Sequence, residues 1–130
     1  LTEVKERLKG MVRAGISTQQ IDAEVEAFIL SQGARSAFKG YRGFPATVCT
    51  SINEVVCHGI PSETQVLKDG DIVNIDVAVI VDGFFGDTSR MFGVGKVGVK
   101  SQRLVDITYE AMMRGIETVR PGATLRSTSA

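Results

Sequence analysis

The sequence predicts an α+β fold in which helical segments come first, strands follow, and a helix comes last. Two observations carry this prediction. Apolar residues recur at helical spacing before Gly33 and after Ser101, and a nearly continuous run of Ile and Val spans residues 72–81. The segments follow one another without a repeat or a composition that marks a linker, so we expect residues 1–130 to form a single domain.

Composition narrows the functional classes. The 130 residues are 43% hydrophobic and 23% charged, and their formal net charge is zero. A balanced charge argues against nucleic acid or an anionic membrane surface as the main partner, since both attract basic proteins. No apolar run reaches the roughly 20 residues of a membrane span. Two cysteines are too few for a disulfide framework, which favours a reducing, cytoplasmic compartment.

Two helices are predicted at the start of the chain. In the first, Val4, Leu8 and Met11 recur at helical spacing before Gly15. The second begins with a capping box, Ser17 and Gln20, and continues with an apolar stripe of Ile21, Val25, Phe28 and Ile29. Its polar positions are rich in Glu and Gln, whereas a helix that reads DNA carries Arg or Lys, so DNA binding is not expected.

The middle of the chain has the pattern of an antiparallel sheet. Residues 46–52 and 72–81 are rich in β-branched residues and are predicted strands. Asp82-Gly83 is typical of a two-residue type I′ hairpin turn, which makes residues 84–94 the partner strand. A last helix is predicted from a cap at Ser101 to Pro121-Gly122.

The predicted hairpin brings two aspartates together. If Asp82 and Gly83 form the turn, Asp76 lies opposite Ser89. Asp87 is then the diagonal neighbour of Asp76 on the same face of the sheet. Two carboxylates this close repel each other unless a cation lies between them, and divalent metals prefer oxygen ligands. A metal site is one interpretation; the other is that the aspartates face solvent or pair with arginines such as Arg90 or Arg120.

His58 is the only histidine, and it lies in a turn-rich segment, Asn53–Pro61, that follows a predicted strand. Functional side chains often lie on such loops, although a lone histidine also commonly has a purely structural role. A Cys–His nucleophilic pair with Cys49 or Cys57 is conceivable, but no third group is apparent that would orient the histidine.

A glycine pattern supplies an alternative of a different class. Gly93, Gly95 and Gly98 match GxGxxG between a predicted strand and a predicted helix, as in dinucleotide-binding folds. Those folds need a parallel strand–helix–strand unit, whereas the preceding strand is predicted to be antiparallel and no strand follows the last helix. Nucleotide binding is therefore kept only as an alternative.

Four blocks of sequence, in order, resemble type I methionine aminopeptidases, a family of pita-bread metallopeptidases. The resemblance covers about residues 1–125, and its blocks are Gly40–Pro45, Cys49–Pro61, Asp69–Val77 and Gly86–Ser89. It implies the N-terminal half of a pita-bread α+β catalytic domain, truncated at both ends. It also implies removal of the initiator methionine from nascent proteins by hydrolysis with a metal-activated water.

The resemblance assigns roles to six residues. Asp76 and Asp87 match the family's metal ligands, which bind two divalent ions (Co, Mn, Fe or Zn). His58 matches the catalytic histidine that contacts the substrate, and the methionine-binding residues correspond to Tyr41, Phe44 and Cys49. The peptide's N-terminal methionine is thus the expected partner, with neither nucleic acid nor membrane involved.

The family's second half contributes a further histidine and two glutamates that this chain does not contain. We therefore expect the 130-residue chain alone to bind metal weakly, to have little or no peptidase activity, and to self-associate. The alternative within the same fold is a catalytically silent pita-bread protein used for binding. Silent members usually lose the metal carboxylates, and both are present here.

Overall fold

The computed structural model describes residues 1–128, and its first two helices precede the sheet. Helix α1 spans Thr2–Met11 and α2 spans Thr18–Ser31. The predicted capping box is confirmed: Ser17 Oγ accepts a hydrogen bond from the Gln20 N–H at 3.2 Å, and Gln20 Oε1 accepts one from the Ser17 N–H at 2.9 Å. Beyond the end of α2, Gly33 adopts a φ of +69°, a left-handed conformation that favours glycine.

The sheet is antiparallel throughout and is organised around one long strand. Strands β1 (Arg35–Ser36) and β2 (Val48–Ile52) pair along one edge of β3 (Ile72–Val81). Strand β4 (Phe84–Gly93) pairs along the other edge over its full length. The two-residue β1 was not predicted, because it is too short to show an alternating pattern.

The β3–β4 hairpin has the predicted turn and register. Asp82 and Gly83 both have positive φ, at 51° and 84°, as a type I′ turn requires. Asp76 lies opposite Ser89, and Asp87 lies opposite Ala78. The two turn residues therefore predicted correctly which residues of β3 and β4 lie opposite each other.

The hydrophobic core lies between the first two helices and one face of the sheet. Apolar residues of α1, α2, β2 and β3 form one buried cluster, which β4 and the segments beside the sheet complete. Its most deeply buried members are Leu8, Ile21, Val48, Leu67, Val73, Ile75, Val77 and Val94. Burial of these side chains is the main favourable contribution to folding, at roughly 1.5–3 kcal/mol for each large one.

The beginning of β2 differs from the prediction by two residues, and Asp22 of α2 binds the backbone at this point. Asp22 is buried, and its Oδ1 accepts hydrogen bonds from the N–H groups of Thr47 and Val48 at 2.8 and 2.9 Å. Both N–H groups are thus bound by one side chain, and ladder pairing begins at Val48.

The glycine pattern after β4 has a packing explanation. A Cβ on Gly95, whose φ is +58°, would lie 1.7 Å from Asp69 Oδ1, and a Cβ on Gly93 would lie 2.7 Å from Val97 Cγ2. The same Asp69 oxygen accepts a hydrogen bond from the Lys96 N–H at 3.1 Å. Two of the glycines therefore allow a tight turn against a neighbouring loop.

The chain forms two compact units, residues 1–97 and the unit from Gly98 onward. Helix α3 of the second unit spans Val99–Glu117, and a short 3₁₀ helix, Leu125–Thr128, follows it. The prediction of Ser101 as the cap was wrong: the N-cap is Gly98, whose carbonyl accepts a hydrogen bond from the Gln102 N–H at 2.9 Å. No helix among the described residues is long and apolar enough to cross a membrane.

Candidate functional site

The face of the sheet turned away from the core carries the polar side chains. Because side chains alternate along a strand, burial of Val73, Ile75 and Val77 in the core turns Asn74 and Asp76 to the opposite face. The register adds Asp87, Ser89 and Cys49 to that face, since each lies opposite or diagonal to a residue of β3 on that side. The site thus rests on three paired strands.

Asp76 and Asp87 interact strongly. The pKa of the Asp76 carboxyl is raised above its usual range, first because burial disfavours the ionised form and then because the Asp87 carboxylate is close. The charge of His58 and a hydrogen bond from the backbone of Val77 act in the opposite direction. The two aspartates therefore lie together as predicted, and without a cation their charges oppose each other.

An oxygen of Asp76 lacks a hydrogen-bond partner. Asp76 Oδ1 is buried, and no donor reaches it. An unsatisfied buried acceptor beside a second carboxylate is the environment in which a bound divalent cation would compensate the cost of burial. Among residues 1–128, no cluster of three or more His, Cys, Asp or Glu side chains could hold a metal. The two carboxylates are thus suitable ligands for a divalent metal, but they supply only part of a complete ligand set.

Cys49 lies directly opposite Asp76 on β2 and is only 3% exposed. Burial, together with the nearby negative charge of Asp76, raises the pKa of its thiol to about 11. A thiol with that pKa is almost entirely protonated at neutral pH, and only the thiolate is a strong nucleophile. The environment of Cys49 suits a buried apolar contact and argues against a Cys–His nucleophilic pair.

His58 is exposed, and the loop that carries it holds it in an unusual conformation. Its φ is 56°, in the left-handed region that residues other than glycine rarely adopt. Such conformations persist only where surrounding contacts enforce them, and they cluster at functional sites. His58 is close enough to Asp76 for its charge to lower the pKa of that carboxyl. The structure therefore places the lone histidine within electrostatic range of Asp76.

Tyr41 and Phe44 lie together in one tight turn. The Phe44 N–H donates a hydrogen bond to the Tyr41 carbonyl at 2.9 Å, and the Phe44 ring meets Phe38 edge-on at 6.2 Å between centroids. Tyr41 is 63% exposed. That these two residues form the substrate-binding site together with Cys49 and His58 stays a prediction.

Several polar residues of this region were not predicted from the sequence. Asn74 and Ser89 exchange two hydrogen bonds, at 2.9 and 3.2 Å, one step along the strands from the Asp76–Asp87 pair. Ser51 is buried on β2 and accepts a hydrogen bond from the Gly59 N–H. The one sequence signal for this contact was Gly59, next to the histidine, because glycine is often required where two backbones approach closely.

Comparison with known proteins identifies the family of the chain. The model of metallopeptidase family M24 matches residues 1–130. The chain is similar to the methionine aminopeptidase of Rickettsia prowazekii, at 55% identity over 88% of this chain and 44% of that protein. It is also similar to the methionine aminopeptidase of Escherichia coli K12, at 51% identity over 98% of this chain and 49% of that protein. The chain thus spans about half the length of the curated relatives it matches.

Solved structures show the same fold. The crystal structure of the Rickettsia prowazekii methionine aminopeptidase matches with a TM-score of 0.90 and 52% identity, over 93% of this chain and 48% of that one. A Xaa-Pro dipeptidase from Bacillus anthracis matches with a TM-score of 0.83 and 26% identity, over 97% of this chain and 34% of that one. The fold is the predicted α+β pita-bread fold, and the chain belongs to metallopeptidase family M24.

Proposed function

We propose that this chain is part of a methionine aminopeptidase, corresponding to the N-terminal half of its catalytic domain. The observation that carries the proposal is the pair Asp76 and Asp87, which share one face of the sheet and leave a buried carboxylate oxygen without a partner. The similarity to proteins named methionine aminopeptidase supports the choice of reaction. The substrate is then a nascent peptide that begins with methionine, and the compartment is the cytoplasm, with which two free cysteines agree.

Each site residue has a chemical task in this proposal. Asp76 and Asp87 hold the metal, and His58, exposed beside them, donates a hydrogen bond to the scissile amide. Tyr41, Phe44 and the buried Cys49 contact the methionine side chain, whose polarizable thioether packs well against apolar and sulfur-containing groups. When bound, divalent metal ions supply Lewis-acid polarisation of a carbonyl and activation of water.

The number and the identity of the metals are also part of the proposal: two divalent ions, from Co, Mn, Fe or Zn. Hard cations prefer about six oxygen ligands, and two carboxylates provide only part of that set. We therefore expect the isolated chain to bind Mn²⁺ weakly. Isothermal titration of the chain with MnCl₂ measures this, and micromolar or tighter binding would contradict the expectation.

The activity is tested on the product of the longest reading frame that includes this chain. Release of methionine from a Met-Ala-Ser peptide is measured with Mn²⁺ or Co²⁺ present. Asp76→Asn and Asp87→Asn should each abolish release, because each removes a carboxylate ligand. Asp82→Asn is the matched control: Asp82 lies in the hairpin turn at φ 51°, which asparagine tolerates. Equal activity of all four proteins, or no release by any of them, would refute the proposal.

Self-association of the chain is a further part of the proposal, and the edge of β4 supports it. Within the described residues β4 pairs only with β3, so its other edge is unpaired over ten residues. Phe84 and Phe85 at its start are 80% and 75% exposed. Long unpaired edges with apolar side chains promote association between strands. Sedimentation at high concentration should show dimers or larger species, reduced by Phe85→Lys. A clean monomer would contradict this.

A further inference from the structure

The segment that carries His58 is hydrogen-bonded to β2 through Gly59, the residue that follows the histidine. The Gly59 carbonyl accepts a hydrogen bond from the Thr50 N–H at 2.8 Å. Its own N–H donates to Ser51 Oγ at 3.2 Å. Gly59 is therefore bound in both directions to two consecutive residues of β2. Cys49, which lies opposite Asp76, is the residue just before them.

This attachment requires a residue without a side chain. A Cβ on Gly59 would lie 2.0 Å from the Thr50 carbonyl oxygen and 3.1 Å from Ser51 Cα. Both neighbours are backbone atoms of a paired strand, so they have little freedom to move aside. Gly59 thus lets the loop approach β2 more closely than any other residue would allow.

The other anchors of the loop lie farther from the histidine. On one side, the Asn53 N–H donates to the Ile72 carbonyl at 2.9 Å. On the other, the Ser62 N–H donates to Thr18 Oγ1 at 2.8 Å. Between these points the Gly59 attachment is the one adjacent to His58, and it is the contact that can enforce the left-handed φ of 56°.

We infer that Ser51 is a positioning residue: its buried hydroxyl, together with the side-chain-free Gly59, sets the location of the His58 imidazole relative to Asp76. This inference rests on the proposed role of His58. Ser51 is 3% exposed, and its hydroxyl lies on the same face of the sheet as Asn74 and Cys49. Without that hydroxyl, the Gly59 N–H loses its acceptor, and the loop is held at this point by the Thr50 bond alone.

The single histidine makes a direct test possible, because the imidazole Hε1 gives one NMR signal for the whole chain. Substoichiometric Mn²⁺ should broaden this signal together with the backbone amide signal of Asp76, even if binding is weak. In Ser51→Ala we expect the broadening of His58 to be lost while that of the Asp76 amide is kept. Ser51→Thr retains the hydroxyl, so the broadening of the His58 signal should be present in that variant. Ser62→Ala, which removes a hydroxyl from the same loop away from β2, is the matched control and should leave the broadening of both signals unchanged.

Hydrogen exchange tests the attachment without any metal. In Ser51→Ala the Gly59 amide should exchange about five-fold faster, which corresponds to the ~1 kcal/mol of one hydrogen bond. The inference is overturned if the Gly59 amide of the unaltered chain exchanges like an unprotected one, or if His58 broadening survives Ser51→Ala.

The proposed function and this inference fail in different ways. If Mn²⁺ broadens no signal near Asp76, the proposed metal site is wrong, and the exchange measurement alone decides the positioning role. Should Ser51→Ala not fold, the protection of Gly59 in the unaltered chain and the Ser51→Thr variant keep the inference falsifiable.

Discussion

Replacement of the buried Asp22 by alanine should destabilise the chain strongly. Asp22 is 4% exposed, and one of its oxygens accepts hydrogen bonds from two backbone N–H groups, those of Thr47 and Val48. Each N–H left buried without a partner costs about 1–3 kcal/mol, and removal of a buried carboxylate returns part of that cost. We expect a loss of about 2–4 kcal/mol in the free energy of unfolding, measured by urea denaturation.

Asp22→Asn separates the hydrogen bonds from the charge. The amide oxygen of asparagine can accept both N–H groups, so this variant should lose less than about 1 kcal/mol at neutral pH. Burial raises the pKa of Asp22 above its ordinary value, despite the two N–H groups that lower it. The folded chain therefore retains this proton to higher pH than the unfolded chain does. Stability present at low pH is lost as the pH rises through the folded pKa, and the asparagine variant should lack this loss.

The control is Glu24→Ala, on the same helix. Glu24 is exposed, and its ion pair with Arg7 is long, at 3.4 Å, so removal should cost no more than about 1 kcal/mol. If Asp22→Ala is no more destabilising than Glu24→Ala, or if Asp22→Asn is as destabilising as Asp22→Ala, the reasoning is refuted.

Two further predictions concern the candidate site. The pKa of Asp76 is raised in the folded chain, so ionisation of this carboxyl is less favourable there than in the unfolded chain. The metal-free chain should therefore lose stability as the pH rises above the ordinary pKa of Asp. Thermal unfolding should therefore show Asp76→Asn to be more stable than the unaltered chain at pH 7. The difference should shrink toward pH 4, about the ordinary pKa of Asp. A lower melting temperature of Asp76→Asn at pH 7 would contradict this. In thiol titration at pH 8, exposed Cys57 should react rapidly and buried Cys49, with a pKa of about 11, slowly. In Cys57→Ser only the slow reaction should remain, and a fast one would show that Cys49 is not protected as described.

Local signals in the sequence were sufficient for much of the fold. The Ser17–Gln20 capping box and the apolar stripe behind it predicted the start of α2, because a helix N-terminus depends on neighbouring residues. Asp82-Gly83 predicted the hairpin register and, with it, the diagonal arrangement of Asp76 and Asp87 on one face. That arrangement follows from the turn alone, since a two-residue loop leaves one register.

Local patterns missed two features of the fold. The N–H groups of Thr47 and Val48, where β2 begins, are bound by Asp22, which lies 25 residues before Thr47 in the chain. A partner so distant cannot be read from the few residues that a strand signal covers. The last helix begins at Val99 rather than after Ser101; its N-cap is Gly98, which has no side chain that could give a capping signal.

The sequence by itself determined which chemical groups the site contains, namely two aspartates on one face of a hairpin and a single histidine on a nearby loop. Only the tertiary structure decided how the histidine is held, because the hydrogen bonds of Gly59 to Thr50 and Ser51 join segments that no local pattern connects. It also decided that one oxygen of Asp76 is buried without a partner. Burial and satisfaction of a polar atom depend on everything packed around it, whereas strand alternation depends only on neighbours along the chain.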